Sequence, residues 1–366
     1  MSRKRSLQEE PLSPIAIREI AVGFQRSRVL LTAFELDIFT ALSKGARPSN
    51  QVAKALGTEK RATDRLMNAL SSMGFLRKRG GLFSNATFAS RFLVKGKPEY
   101  MAGLMHTAHL WNTWSTLTRA VRRGTSVVAG HTDAGAAKWR AAFIAAMHER
   151  ASKIAQSVVG MLDLSRVCSV LDVGGGSGAY SMAFARVKKG LKATVFDLPD
   201  IIPLTRKYVK KDGFLDRVDF IAGDYTTDDL GQGDQRDQSR RVHNTGVNTS
   251  GNTGPGSRPR QGFDLIFLSA IVHSNSIPEN RRLVRKCVKA LNPGGQVVVQ
   301  DFIMNEDRTG PAPAALFTLN MLVGTDAGDT YTESEVRSWM KAAGLRSTVR
   351  KDTEFGTTLI IGRKAG

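Results

Sequence analysis

The chain has 366 residues, 53 Lys and Arg against 33 Asp and Glu, a net charge of +20, and 41% hydrophobic content with 7% aromatics. That composition excludes a disordered chain and exceeds the usual size of one core, so two domains are expected. No apolar run approaches the roughly 18 to 20 residues that cross a bilayer, and the basic start Met1 to Ser6 has no apolar stretch or cleavage site behind it, which predicts a cytoplasmic protein with no membrane role.

Residues 1–13 are expected to be a flexible N-terminus and 14–100 a first domain. Over 14–45, Ile17, Ile20, Ala21, Phe24, Val29, Leu30, Ala33 and Phe34 recur at helical spacing. Ser49 is placed to cap a helix around Val52 to Leu56, and Thr63 to Met73 predicts a second helix with Leu66, Leu70 and Met73 on one side. Phe75-Leu76 and Leu82-Phe83 flank a basic turn, Arg77 to Gly81, as a small hairpin. Helix, turn, helix and hairpin make a winged-helix outline, which serves either DNA binding or packing and dimerisation. Arg61 and Arg65 with the acidic Asp64 are thin equipment for reading bases.

Residues 101–160 predict linking helices, rich in Met101, Met105, His106, Trp111, Trp114, Met147 and His148, that suit helix packing or a pocket wall. From 161 onward strands alternate with helices, the pattern of a parallel sheet. The expected strands are Ser169 to Val173, Ala193 to Phe196, Val218 to Ala222, Leu265 to Ser269 and Gln296 to Phe302. The polar stretch 231–262 predicts a disordered insertion, its alternative being a nucleic-acid contact through Arg236, Arg240, Arg241, Arg258 and Arg260. Elsewhere the basic excess is dispersed among acidic and apolar neighbours without interleaved aromatics, so a nucleic-acid partner is not expected. Cys168 and Cys287 read as core residues, with no disulfide framework and no metal.

Val170-Leu171-Asp172-Val173-Gly174-Gly175-Gly176-Ser177-Gly178 ends a strand in a glycine-dense turn, where side chains would block a ligand's approach to the backbone. Gly174, Gly176 and Ala179 satisfy a dinucleotide fingerprint, and Asp197 follows Gly174 by 23 residues, so a nicotinamide enzyme must be weighed. Three features oppose it. Asp172 would repel a pyrophosphate, yet it is placed to tether the glycine-loop amides and approach the amino group of a methionine moiety. Gly223-Asp224-Tyr225 ends the third strand where an adenine amino group would be read, and Leu291-Asn292-Pro293-Gly294-Gly295 turns a helix into the strand after it.

These residues resemble a class I methyltransferase using S-adenosyl-L-methionine (SAM). With the winged-helix front, the chain resembles the small-molecule O-methyltransferases that include plant caffeate, hydroxyindole and bacterial antibiotic-tailoring enzymes. The resemblance implies an α/β, Rossmann-like methyltransferase domain over 161–366, preceded by a mainly α winged-helix dimerisation domain, and a homodimer. It assigns Asp172 and the loop with Gly174 and Gly176 to the methionine end of SAM, Asp197 to the ribose, and Asp224 with Tyr225 to the adenine. Ser269 stands where plant members have a cofactor-contacting lysine. Phe143, Met147, Phe317, Asn320 and Met321 are implied to line the acceptor pocket, although a Met and Phe stripe is also what simple core looks like.

Methyl transfer to a hydroxyl needs a base, and His273, just past the fourth strand, is the candidate. An imidazole with an ordinary pKa of about 6.5 is mostly neutral near pH 7. The family sets an aspartate after this histidine and orients it with two acids. Here Ser274 follows it, Asp301 matches the first acid, and either Asp329 or Thr330 stands at the second. The expected reaction is methyl transfer to a hydroxyl of a small, aromatic or polyketide-like acceptor. The rivals are N-, C- or S-methylation on the same fold, a non-methylating use of the cofactor, and a winged-helix DNA-binding regulator that senses a metabolite.

Overall fold

The computed structural model describes residues 13–128, 133–230 and 262–366. Apart from Ser13 and Gly262, the expected flexible start and the 231–262 insertion with its arginines lie outside the described residues. The chain divides into two compact units, one ending at His109 and one beginning at Leu110.

The first unit holds α1 (Pro14–Val22), α2 (Phe24–Glu35), α3 (Ile38–Ala41), β1 (Arg47–Pro48), α4 (Ser49–Leu56), α5 (Lys60–Ser72), β2 (Leu76–Arg79), β3 (Leu82–Asn85) and α6 (Thr87–Phe92). The apolar stretch over 14–45 is helical as expected and folds as three helices. It breaks at Gly23 and again after Leu36, where Asp37 takes a left-handed conformation with φ of 63° that a continuing helix does not allow. Ser49 does not cap α4. It is the first helical residue, behind Pro48, and its hydroxyl donates to Asp64 at 2.6 Å. Glu59 caps α5 through the amides of Arg61 and Ala62, and β2 and β3 pair antiparallel around Gly80 and Gly81 as the hairpin expected from sequence. Phe34, Phe39, Met67, Leu70 and Phe83 form the unit's core.

A further helix, α7 (Leu104–Trp114), runs across the division. The second unit continues with α8 (Leu117–Arg123), α9 (Asp133–Gly160), β4 (Ser169–Val173), α10 (Ala179–Val187), β5 (Lys192–Asp197), α11 (Ile202–Lys211), β6 (Val218–Ala222), β7 (Phe263–Ser269), α12 (Ile277–Ala290), β8 (Leu291–Asp301), β9 (Ile303–Met304), α13 (Ala312–Gly324), β10 (Tyr331–Thr332), α14 (Glu333–Ala342), β11 (Arg346–Asp352) and β12 (Thr358–Arg363). Among the described residues seven strands form one sheet in the order β11-β12-β8-β7-β4-β5-β6. The five strands expected from sequence pair in parallel, and the hairpin of β11 and β12 adds an antiparallel edge beside β8.

Apolar layers cover both faces of this sheet, which is why its central strands read as unbroken apolar runs. One layer centres on Leu268, Val284, Val299, Trp339 and Ile360, the other on Val158, Phe184, Phe267, Val298 and Leu359. Each large side chain buried this way contributes roughly 1.5 to 3 kcal/mol. Cys287 belongs to the first layer, whereas Cys168 is exposed, contrary to its expected core role, because it precedes β4 outside the covered part of the sheet. Among the described residues no helix is long and apolar enough to cross a membrane.

The strand order decides where a ligand goes. From β4 the chain builds outward through β5 and β6, then returns to add β7 and β8 on the other side of β4. Such a reversal leaves a crevice beyond the carboxyl ends of the two strands that flank it, here β4 and β7.

Candidate active site

At the end of β4 the backbone turns through Gly174, with φ of 64°, Gly176, with φ of 56°, and Gly178, which precedes α10. Glycine suits Gly174 because L side chains avoid that φ, and an added Cβ, 2.2 Å from Ile271 Cδ1, would also force the end of that side chain to move. The turn thus presses against the segment that follows β7.

Three carboxylates surround this turn. Asp172 is buried and accepts the Ser181 hydroxyl at 2.8 Å, and burial pushes its carboxyl up to about 7. The expected tether from Asp172 to the glycine-loop amides is not the one observed. Asp197 makes it, accepting the Gly176 amide at 2.8 Å and the Leu198 amide at 2.8 Å, because the parallel register sets the end of β5 beside the turn. Burial also pushes the Asp197 carboxyl up. Asp224 folds back on its own loop, accepting the amide and the hydroxyl of Thr226, and the Tyr225 hydroxyl donates to Asn275 at 3.0 Å.

On the other flank of the crevice, Ser269 ends β7 and donates to Gln300 at 2.9 Å. His273 follows in a short 3-10 turn, Val272 to Ser274. Its Nδ1 lies 2.8 Å from Asp301 Oδ1 at the end of β8, with Asp301 almost fully buried. The ring of Phe317 stands edge-on to the imidazole at 4.8 Å, and Phe302 packs against Phe317 at 4.6 Å. Neither contender for a second orienting acid offers the imidazole a carboxylate. Asp329 pairs with Arg308 at 3.2 Å and gives His273 only a main-chain amide, while the Thr330 hydroxyl is held by Thr318.

A cavity of about 530 Å³ opens over the crevice. It brings together Asp172, Gly174, Gly176, Asp197, Asp224, Tyr225, Ser269 and Asp301 with Phe143 and Met147 of α9. His273, Phe317, Asn320 and Met321 stand outside that lining. Phe317 packs against the lining residue Phe302, Met321 is buried, and the Asn320 side-chain oxygen accepts the Trp114 indole N–H at 2.9 Å.

Several lining residues gave no signal in the sequence. Arg150 brings a cation into the cavity and lies over the Phe302 ring, Tyr180 stands near Ser269 and Gln300, and Trp139 stacks on Phe143 at 5.3 Å. The donor set fits SAM. A side-chain-free turn admits a ligand against the backbone, Asp172 and Arg150 offer opposite charges to an ammonium and a carboxylate, and Asp197 and Asp224 are acceptors for hydroxyl and amino groups.

Comparison with known proteins agrees with this geometry. An O-methyltransferase domain matches residues 114–245 and 257–346, and an O-methyltransferase dimerisation domain matches 18–95. The 3-hydroxy-5-methyl-1-naphthoate 3-O-methyltransferase of Streptomyces sahachiroi is 28% identical over 365 residues, covering 96% of each chain. The tetracenomycin polyketide synthesis 8-O-methyl transferase TcmO of Streptomyces glaucescens is 30% identical over 361 residues, 96% of this chain and 97% of that one. The structure of human N-acetylserotonin methyltransferase in complex with SAM superposes with a TM-score of 0.76 at 25% identity, over 98% of this chain and 99% of that one. The nicotinamide and regulator readings give way to these matches: the chain belongs to the O-methyltransferase family, as a SAM-dependent class I methyltransferase carrying that family's dimerisation domain.

Proposed function

We propose that the protein methylates a hydroxyl of a small aromatic or polyketide-like molecule, with His273 as general base and Asp301 as its orienting acid. The observation that carries this reading is the 2.8 Å contact between His273 Nδ1 and buried Asp301, at the edge of the glycine-loop cavity. An ionised carboxylate only accepts hydrogen bonds, so Nδ1 carries the ring proton and Nε2 keeps its lone pair. Nε2 takes the acceptor's hydroxyl proton as the oxygen becomes nucleophilic, and Asp301 stabilises the resulting imidazolium.

Bound SAM supplies an electrophilic methyl group on a sulfonium. Asp172, Gly174, Gly176 and Arg150 are proposed to hold its methionine end, Asp197 its ribose, and Asp224 with Tyr225 its adenine. Trp139, Phe143, Met147 and Phe302 give the cavity apolar walls suited to a flat acceptor. The Streptomyces relatives named above act, by their names, on a hydroxynaphthoate and in polyketide synthesis, which supports the same acceptor class. The dimerisation domain supports a homodimer, which sedimentation of the purified protein tests.

A second reading, transfer to nitrogen, carbon or sulfur, is favoured by one observation: His273 is not among the cavity-lining residues. Incubation with SAM and paired acceptors, a hydroxynaphthoate against its amino and thiol analogues, separates the two. A methyl ether formed only from the hydroxyl compound supports the first reading, and methylation of the amine or thiol alone would replace it.

A further inference from the structure

Behind the cavity a buried polar chain joins two of its walls. The Tyr225 hydroxyl donates to Asn275 Oδ1 at 3.0 Å, Asn275 Nδ2 to Asn280 Oδ1 at 3.2 Å, and Asn280 Nδ2 to the Val272 carbonyl at 2.8 Å. The direction of this chain is fixed at its far end. A main-chain carbonyl only accepts, so Asn280 must present its amino group to Val272 and its oxygen to Asn275. Asn275 in turn must present its oxygen to Tyr225. Burial pushes the Tyr225 hydroxyl above its ordinary range, which keeps it a donor.

Both amides are closed to solvent, with Asn275 at 6% and Asn280 at 0% exposure. The Tyr331 hydroxyl donates to the Asn275 main-chain carbonyl, which pins the residue from a third side. Loss of the Tyr225 donor leaves Asn275 Oδ1 buried without its partner in the chain, so each link supports the orientation of the next. Its two ends are functional. Tyr225 lines the cavity in the loop after β6, and Val272 immediately precedes His273.

We propose that Asn275 is a positioning residue that ties the adenine-side loop of Asp224 and Tyr225 to the turn carrying His273, so that ordering of the cofactor loop sets the place of the base. This rests on the reading of Asp224 and Tyr225 as the adenine contact and of His273 as the base. Asn275→Leu keeps the shape of the side chain and removes both of its amide links, while Tyr225→Phe deletes only the first donor.

The test uses the full chain, S-adenosylhomocysteine (SAH), calorimetry, and the NMR resonance of the His273 ring. In the wild type, SAH binding is expected to move that resonance, and a resonance that stays in place on saturation would overturn the proposal. Each variant is expected to bind SAH about tenfold more weakly, the double variant no more than about threefold worse than the weaker single one, and the His273 response to saturating SAH to fall by half or more. A merely structural role would lower thermal stability and leave that response intact. Additive losses in affinity, or a wild-type-sized His273 response in the variants, would overturn the proposal while leaving the cofactor site standing. A wild-type protein that does not bind SAH would remove the cofactor reading and the proposal together. If Asn275→Leu does not fold, the His273 response in Tyr225→Phe decides alone.

Discussion

His273 Nδ1 sits 2.8 Å from Asp301 Oδ1 across 28 residues of sequence, with the two side chains 12% and 2% exposed. The pair joins the end of β7 to the end of β8, neighbouring parallel strands whose register sets Ser269 opposite Gln300. Both carboxylate oxygens lie within reach of Nδ1, at 2.8 and 3.0 Å, and burial of the acid gives these contacts more weight than they would have in water.

His273→Ala is therefore expected to lower kcat by about 10²- to 10⁴-fold and to leave SAH affinity nearly unchanged. Asp301→Asn should cost less than the histidine, because it loosens the ring without removing it. Single-turnover rates with saturating SAM measure both. Undiminished methylation in His273→Ala would end its role as base.

Burial holds the Asp172 carboxyl up to about 7 in the free protein. An ammonium beside it requires the carboxylate, so binding below that pH must release a proton. SAH affinity should fall as pH drops below 7, approaching tenfold per unit, and be level above it. Stability of the free protein runs the opposite way: a folded pKa above the unfolded one gives stability that is full in acid, below about 4, and lost as pH rises toward 7. Asp197, also pushed up by burial, adds to both slopes in the same sense. Asp172→Asn should reduce each slope, and calorimetry at pH 6, 7 and 8 with wild-type slopes in the variant would reject the assignment.

Asp197→Ala frees the Gly176 and Leu198 amides that the carboxylate now holds. Both the ribose contact and the shape of the turn should suffer, weakening SAH binding by at least about tenfold, given roughly 1.5 to 3 kcal/mol for a hydrogen bond to a charged group. Unchanged affinity would sink the ribose assignment.

Gly174→Ala puts a Cβ 2.2 Å from Ile271 Cδ1 at a φ of 64°. The expected loss is about 1 to 3 kcal/mol in urea unfolding, mostly from backbone strain, because the Ile271 methyl can move aside. Measured against Ile271→Ala alone, the Gly174→Ala loss should be smaller by the packing share and keep the strain. A loss below about 0.5 kcal/mol, the range of ordinary surface changes, would show that the turn relaxes.

The alternation of apolar strands with helices after Val167, and the glycines that a strand-to-helix turn demands, were legible because period and backbone freedom are local properties. The same held for the hairpin around Gly80 and Gly81. The β11 and β12 edge was not legible: the exposed, charged Arg346 to Asp352 gains its strand character only by pairing with Thr358 to Arg363. Likewise the break at Asp37, with φ of 63°, is not marked by the apolar spacing.

For the site, the sequence singled out Asp172, Asp197, Asp224 and His273, since each ends or follows a strand whose apolar run marks it. Only the tertiary structure decided which carboxylate holds the glycine turn, that Asp329 is taken by Arg308, and that Arg150 and Tyr180 enter the cavity. It also decided that Phe317 meets His273 edge-on while Asn320 and Met321 face elsewhere. Strand ends are written in the chain, but the partner a side chain meets there depends on sheet order and on the helix that closes over it, which are set by burial across the whole unit.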